Sequence, residues 1–373
     1  MAQNEIPPEA SALANDGGLD LLDGATGEVA IARVADAVEA QRRIAADASR
    51  PIEERIDAYE DITDCEVGDT NLTRARNLER EVGLRQLFLK FEGGNPTGTQ
   101  KDRISFAQVK DALRRGFDTV TIATCGNYGA AMALAASLAG LRCIIYIPEQ
   151  FRTKRTVEMV ALGAEILRVR GDYEAAVRAS RERAERNDLY DANPGGSNST
   201  LQMRAYGGIA NEIYDELRDA PAAVALPVSN GSTAAGTYRG FLSLYRRGKT
   251  SRMPRIVVGS SFGKNPIVRA FVKNLPTCED LPPDAIKETQ INEPLINWHS
   301  IDGNEALEGI RATGGWAADA SDKEMLSCAR LLREREGLSV LPASTAGLIA
   351  LVSGLQKNPL PGDRYVVVLT GRK

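Results

Sequence analysis

Short apolar runs alternate with longer amphipathic segments along the chain from Leu87 onward. Runs rich in β-branched residues, which favour strands, lie at 119–124, 143–147 and 166–169. Helical patterns follow these runs at 128–139, 154–162 and 173–187. Three strand–helix units in succession predict a parallel, doubly wound sheet.

A second series of the same kind occupies the C-terminal half of the chain. Strands are predicted at 223–228, 255–260 and 365–369. Helices are predicted to run through Tyr245 and over 329–336. The two series together predict an α/β protein with two doubly wound modules and a cleft between them.

The first 60 residues differ from the rest, because they are acidic and contain several glycines and prolines. One helical pattern covers 29–46, and a second helix is predicted to run to Ile62 with Ser49 as its N-cap and Pro51 in its first turn. This segment is expected to be an extension that packs on the body of the protein or on a second subunit.

Composition narrows the chemistry that the protein can perform. The chain of 373 residues, 43% hydrophobic and 26% charged, is that of an ordinary globular protein long enough for two domains. With a net charge of -4, the chain lacks the excess of positive charge that binds nucleic-acid phosphates, so no nucleic-acid partner is expected. The single histidine excludes a multi-histidine metal site, so no metal is expected and His299 is the only imidazole.

The five cysteines are scattered, and none has the two-residue spacing of a zinc or redox motif. They are therefore expected to be reduced thiols. The N-terminus lacks the pattern of a secretory signal, and the longest apolar stretch, 129–141, is too short to span a bilayer. These features predict a cytoplasmic protein without a membrane segment.

A loop rich in Gly and Pro, residues 92–103, delivers Lys101 to the start of a helix. The positive end of that helix and the adjacent Arg103 are expected to favour the uncharged, nucleophilic form of the lysine amine. Taken alone, this loop fits a surface turn with a solvated lysine better than a site.

Two further loops each lie between a predicted strand and a predicted helix, where open α/β sheets bind ligands. Residues 124–129 offer N–H groups suited to a carboxylate, and Asn127 adds a donor and an acceptor. Residues 229–233 allow the backbone to approach a phosphate, although they form neither a Walker loop nor a dinucleotide fingerprint. Either loop alone also fits a tight turn, and Cys125 fits a small packing residue better than a nucleophile.

The three loops together resemble a known family. Residues 90–103 (KFEGGNPTGTQKDR) resemble the lysine motif of the fold-type II pyridoxal-phosphate enzymes, and within them threonine synthase most closely. Residues 124–127 resemble the family's substrate loop, and 227–233 resemble its phosphate cup. Further matches occur in the family order at 292–294, 297–298, 314–315, 321–324, 342–346 and 369–371.

The resemblance implies a cofactor and a set of site residues. Lys101 would hold pyridoxal 5'-phosphate as a Schiff base and move protons, and Asn127 would bond the cofactor's phenolic oxygen. Thr370 would face the pyridine nitrogen, and this hydroxyl suits elimination and replacement more than transamination. The phosphate would be bound by Ser229, Asn230, Gly231, Ser232 and Thr233. The substrate's carboxylate would be surrounded by Thr124, Cys125, Gly126, Asn127 and Tyr128.

The resemblance also implies a domain plan. Residues 1–60 would be the N-terminal extension, 85–205 the smaller α/β domain with the substrate loop, and 61–84 with 206–373 the larger cofactor-binding domain. Members of the family commonly form homodimers, so a homodimer that takes a small amino-acid substrate is expected.

Several residues depart from the threonine synthase pattern. Tyr206-Gly207-Gly208 stands where Gln-Lys-Thr is usual, and Leu341 replaces a glutamate. Tyr128 and Cys125 replace smaller or more polar residues of the substrate loop. Because these changes remove polar groups and add an aromatic ring, they bear on the substrate rather than on the cofactor.

Three functions follow from the resemblance and its departures. The first is a threonine synthase-like lyase that acts on a phosphorylated hydroxy-amino acid, such as O-phosphohomoserine. The second is a β-replacement synthase of the cysteine or cysteate type, acting on O-phosphoserine or O-acetylserine. The third is a non-catalytic protein that binds pyridoxal phosphate.

Overall fold

Two β-sheets organise the part of the chain that the structure, a computed structural model, describes: residues 38–124, 126–151, 153–360 and 364–373. The strands are β1 Leu72–Arg74, β2 Leu87–Phe91, β3 Thr119–Ala123, β4 Arg142–Pro148, β5 Glu165–Val169, β6 Tyr190–Asp191, β7 Ala223–Pro227, β8 Arg255–Ser261, β9 Trp316–Ala320 and β10 Tyr365–Leu369. One sheet has the order β1-β2-β10-β7-β8-β9 and the other the order β5-β4-β3-β6.

Helices connect the strands and cover the sheets. They are α1 over 38–46, α2 Ile52–Glu66, α3 Arg76–Val82, α4 Lys101–Arg114, α5 Asn127–Leu138, α6 Arg155–Ala161, α7 Tyr173–Asn187, α8 Ser199–Leu217, α9 Ser232–Arg246, α10 Pro266–Val272, α11 Gly303–Ala312, α12 Asp322–Glu336 and α13 Ala346–Lys357. Short 3-10 turns lie at Glu92–Gly94, Pro283–Ala285 and Pro342–Thr345.

The pairing of the strands is parallel except between β1 and β2. Parallel strands are covered on both faces, so they read as continuous apolar runs, and every residue of β3, β7 and β10 is buried. This arrangement confirms the predicted α/β class with doubly wound, parallel sheets.

A single apolar cluster joins the two sheets. It includes Val120 and Ile145 from the four-stranded sheet and Val224 and Val366 from the six-stranded sheet. The alanine-rich α5 is buried on nearly every side within this cluster. Because the core is continuous, the ends of strands in both sheets are held in fixed positions relative to each other.

Helices α8 and α9 lie against each other at backbone contact distance. A Cβ added at Gly240 of α9 would lie 2.6 Å from the carbonyl oxygen of Gly207 in α8, and one at Gly236 would lie 2.5 Å from that of Met203. These positions therefore require glycine. The contact fixes α8 beside the helix that follows the 229–233 loop.

The predicted elements agree with the structure to within a residue or two in most of the chain, with three differences. Helix α12 begins at Asp322, seven residues before the predicted start, because Ser321 and Glu324 form a capping box. Helix α2 has Pro51 at its N-cap, and Ser49 bonds the Asp47 carboxylate instead of capping the helix. The pattern over 29–46 is helical from residue 38, and 29–37 lie outside the described residues.

Strands β1, β2, β6 and β9 and helices α3, α8, α10, α11 and α13 were not predicted from the pattern. No helix in the described ranges is long and apolar enough to cross a membrane. The division of the chain into an extension and two domains stays a prediction.

We expect Gly240→Ala to lower the free energy of unfolding by about 1–3 kcal/mol, because its methyl group would overlap the backbone of α8. Urea unfolding at neutral pH measures this change. The control is Ser243→Ala at an exposed position of the same helix. Equal stability of Gly240→Ala and the control would contradict the close contact.

Candidate active site

A cavity of about 400 Å³ opens where strands of both sheets end. Thr124 follows β3, residues 229–233 follow β7 closely and Thr370 follows β10. Open parallel sheets bind ligands at these carboxyl ends. The predicted site residues that line the cavity are Lys101, Thr124, Gly126, Asn127, Tyr128, Ser229, Asn230, Gly231, Ser232, Thr233 and Thr370. Cys125 lies outside the described residues.

Backbone and side-chain bonds hold Lys101 at the first turn of α4. The Thr97 hydroxyl lies 2.9 Å from the Asp102 carboxylate, and the Gln100 N–H donates to the Thr370 carbonyl at 3.0 Å. Asp102 is fully buried, and burial raises its pKa to about 6. The loop that delivers Lys101 is thus attached to the end of β10, which carries Thr370.

Two tyrosine rings lie beside the Lys101 amine. Its Nζ atom is 5.2 Å from the centroid of the Tyr128 ring and 5.8 Å from that of the Tyr206 ring. The Nζ atom also donates to the Tyr206 hydroxyl at 3.3 Å. Ring faces attract a cation, and the hydroxyl adds a hydrogen bond, so the amine has a defined position.

Arg103, which the sequence places beside Lys101, pairs with two carboxylates from other elements. Its Nε atom lies 2.6 Å from Glu92, and its Nη2 atom lies 2.8 Å from Glu212. Lys90 also pairs with Glu212, at 2.5 Å. All four side chains are largely buried, and they link β2, α4 and α8 behind the cavity.

Electrostatic coupling in this cluster is strong. Burial alone opposes the charged form of Glu212, but the hydrogen bonds and charges of Arg103 and Lys90 outweigh burial and lower the pKa of Glu212 to about 2. The carboxylate therefore stays ionised across the neutral pH range. Thr70 satisfies a remaining oxygen of the cluster by donating to Glu92 at 2.8 Å.

The loop before α5 leaves N–H groups free at the cavity. No side chain caps α5, so the N–H groups of its first turn point toward the open side. The Tyr128 hydroxyl donates to the Ala192 carbonyl at 2.9 Å and accepts from Gln108. The hydroxyl of Tyr128 is thus used by the scaffold, whereas its ring faces the cavity.

The loop before α9 has the geometry of an anion site. Gly231 has a φ of +100°, and a Cβ there would lie 2.7 Å from the Asp302 carbonyl oxygen, so only glycine fits. No side chain caps α9, which leaves the N–H groups of its first turn unpaired. Asn265 donates to the Ser229 carbonyl at 3.0 Å, and Asn297 donates to the Asn230 side chain at 2.9 Å. The loop is therefore held open by the surrounding protein.

Two hydroxyl groups complete the site. Ser232 donates to the Asp302 carboxylate, whose pKa is raised by burial. The Thr370 hydroxyl lies 3.1 Å from that of Ser344. Next to them, the Gln100 Oε1 atom is buried without a hydrogen-bond partner among the described residues. The cavity therefore holds polar groups whose partners a ligand can supply.

Sequence reasoning missed several residues of the site. Tyr206, which the sequence showed only as a departure from a motif, contacts Lys101 although the two lie 105 positions apart, and nothing in the pattern signals such a contact.

Acidic residues on the cavity lining were also missed. Burial and the nearby Glu288 raise the pKa of Glu293 to about 7. Apart from Lys101, the charged side chains on the described lining are all acidic: Asp172, Glu174, Glu288 and Glu293.

The only histidine lies outside the described cavity lining. His299 is partly exposed, and its Nδ1 atom is 2.8 Å from the Asp280 carboxylate. Among the residues that the structure describes, no group of His, Cys, Asp or Glu has the geometry of a metal site.

Comparison with known proteins assigns the class. Residues 64–371 match the family described as pyridoxal-phosphate dependent enzymes, and the chain belongs to this family. Pyridoxal 5'-phosphate is therefore its cofactor, and the chain is an enzyme.

Particular relatives narrow the class further. The chain is 30% identical to the threonine synthase of Methanocaldococcus jannaschii over 308 residues, which cover 82% of this chain and 74% of that one. It is 31% identical to the threonine synthase of Bacillus sp. (strain ULM1) over 306 residues, with 82% of each chain covered. The enzyme is thus a lyase of the threonine synthase-like group.

Solved structures agree in fold. Maize serine racemase superposes with a TM-score of 0.69 at 19% identity, covering 85% of this chain and 93% of its own. Threonine deaminase isoform 2 from Solanum lycopersicum gives a TM-score of 0.69 at 14% identity, with 86% and 90% covered. The fold is that of the fold-type II pyridoxal-phosphate enzymes.

The residues in the cavity fit this cofactor. An aldehyde needs an amine, which Lys101 supplies, and a phosphate needs unpaired N–H groups, which the start of α9 supplies. The paired hydroxyls of Ser344 and Thr370 suit a ring nitrogen.

We expect Glu212→Gln to lower the free energy of unfolding at pH 7 by about 3–5 kcal/mol, since it breaks a buried ion cluster. The pKa of Glu212 is lowered, so its contribution is present above its unfolded value of 4.5 and is lost as the pH falls toward 2. The variant should therefore lose part of the acid dependence of stability.

Urea unfolding at pH 7 and at pH 4 measures both effects. The matched control is Glu216→Gln, an exposed position one turn further along α8, which should change neither. A Glu212→Gln protein as stable as this control at pH 7 would contradict the role of the cluster.

Proposed function

We propose that this enzyme catalyses elimination and replacement on a phosphorylated hydroxy-amino acid, in the manner of threonine synthase. The observation that carries the proposal is a single cavity lined by Lys101 and by the starts of two helices without a side-chain cap, α5 and α9. One helix start suits the phosphate of the cofactor, and the other suits the carboxylate of an amino acid. Threonine synthases are among the relatives that match most of the chain.

We assign the cofactor contacts residue by residue. Lys101 would hold the cofactor covalently, and the backbone of Ser229–Thr233 would bind its phosphate, with Gly231 allowing the close approach. Asn127 would bond the phenolic oxygen, and Thr370 would face the pyridine nitrogen. When bound, pyridoxal phosphate supplies the carbanion stabilisation that no side chain provides.

The chain's own groups would then handle the substrate and its protons. The first turn of α5 would bind the substrate carboxylate through N–H groups, and the ring of Tyr128 would cover it. Lys101 would carry protons, because no other basic side chain lines the described part of the cavity. The hydroxyl of Thr370, which lies 3.1 Å from that of Ser344, would not force the cofactor's ring nitrogen to be protonated as a carboxylate would, and this would suit elimination and replacement more than transamination.

One observation favours a second candidate, the β-replacement synthase. Glu288 and Glu293 lie on the cavity lining, where they disfavour a second phosphate beside that of the cofactor. A serine derivative with a neutral leaving group, such as O-acetylserine, would avoid this repulsion. O-phosphoserine, which the same reaction class includes, would not.

Location and assembly complete the proposal. We place the enzyme in the cytoplasm as a homodimer, as expected from its sequence. Large apolar side chains are exposed at Phe262 (71%) and Val272 (63%), which suits a subunit contact.

Lys101→Ala should abolish the visible absorption that the lysine-bound cofactor gives to the purified enzyme, because Lys101 supplies the one side-chain amine on the described part of the cavity lining. An absorption spectrum after dialysis against pyridoxal phosphate tests this. The matched control is Lys110→Ala on the exposed side of the same helix. Retention of the absorption band by Lys101→Ala, or its loss in the control, would contradict the assignment of Lys101.

Substrates separate the two candidate reactions. With O-phosphohomoserine, the enzyme is expected to release inorganic phosphate and form threonine at a rate at least about 100-fold above that of Lys101→Ala. Assays of phosphate and amino-acid products measure this. A new amino acid formed from O-acetylserine and sulfide or sulfite, without turnover of O-phosphohomoserine, would establish the β-replacement reaction instead.

A further inference from the structure

Tyr206 is a buried tyrosine whose hydroxyl reaches the reactive amine. The residue lies on α8 and has 0% exposure. Its hydroxyl oxygen is 3.3 Å from Lys101 Nζ, and it has no other hydrogen-bond partner among the residues that the structure describes. Its hydroxyl is therefore free to serve that amine alone.

The position of Tyr206 is fixed from two sides. A Cβ added at Gly236 of α9 would lie 2.7 Å from the Cβ of Tyr206, so the two helices hold this tyrosine at close range. On the other side, Glu212 lies further along α8 and pairs with Arg103, which lies two residues after Lys101 in α4. These contacts fix where the Tyr206 hydroxyl lies relative to the first turn of α4, which carries Lys101.

A phenolic hydroxyl is both a donor and an acceptor of hydrogen bonds. It accepts from Lys101 when the amine is charged and can donate to Lys101 when the amine is neutral. The bond thus persists in both protonation states, and the buried oxygen never has to lose its own proton.

We propose that Tyr206 is a positioning residue for Lys101, which keeps the neutral amine aimed at the aldehyde of the incoming cofactor. This proposal rests on the covalent role proposed above for Lys101. It does not depend on which amino acid the enzyme converts.

A buried tyrosine can also be only a packing residue, and the chain contains a suitable comparison. Tyr59 has 0% exposure, stacks on Phe106, and its hydroxyl has no partner among the described residues. Tyr59→Phe removes the same atom from another buried ring, whose hydroxyl makes no hydrogen bond to the amine. It is therefore the matched control for Tyr206→Phe.

The test uses the full-length apoprotein and two probes. Pyridoxal 5'-phosphate reports covalent capture by Lys101 through the rise of visible absorption. Pyridoxamine 5'-phosphate has the same ring and phosphate but an amine in place of the aldehyde, so it reports non-covalent binding. Tyr206→Phe should slow capture by about 2- to 10-fold, the loss expected for one hydrogen bond between neutral groups, and leave the Kd for pyridoxamine phosphate unchanged.

Two outcomes would overturn the proposal. One is capture by Tyr206→Phe at the rate of the wild type and of Tyr59→Phe. The other is an equal loss of affinity for both probes, which would indicate a damaged cavity rather than a misplaced amine. A failure of the proposed lyase reaction would appear differently, as normal capture without release of phosphate from O-phosphohomoserine.

Discussion

The ion pair between Arg103 and Glu212 sets the geometry on which the cavity depends. It joins α4, which begins with Lys101, to α8, which carries Tyr206, and Lys90 and Glu92 complete its charge balance. A buried pair of this kind is not a large source of stability, because removing two charges from water offsets most of their attraction. The pair instead favours one relative position of the two helices. Any displacement of α8 along α4 would leave a buried charge unpaired and would move the Tyr206 hydroxyl away from the Lys101 amine.

The remaining parts of the site are backbone N–H groups, and the parallel sheets determine where these groups lie. Parallel strands end on the same edge, so the turns after β3, β7 and β10 meet without long connections. Uncapped helix starts after two of these turns leave N–H groups unpaired, and anions bind there without any cationic side chain. This explains how one lysine and no histidine in the cavity lining can serve a cofactor and a substrate that both carry negative charge.

The sequence was informative wherever local chemistry decides the structure. Strands β3 and β10 follow from apolar patterning, and the loop around Gly231 follows from turn geometry. All three were predicted. The contact between Tyr206 and Lys101 was not, because it depends on how α8 packs on α9 through Gly207 and Gly240. The partners of Arg103 were not predicted for the same reason: one of them, Glu212, comes from an element distant in sequence, and proximity to Lys101 along the chain does not show where the guanidinium lies.

The acidic lining determines which ligands the cavity admits. Burial raises the pKa of Glu293 to about 7 and raises that of Glu288 as well, and a raised pKa makes the neutral carboxyl group prevalent at lower pH. Below about pH 7 Glu293 is therefore mostly uncharged, so the lining repels an anionic substrate less and can donate a hydrogen bond to it. Above that pH the same residue repels a phosphate ester more strongly than a neutral acetate ester. Because Lys101 is the only positive side chain on the described lining, the protonation of Glu293 changes the net charge of the cavity that an anionic substrate meets.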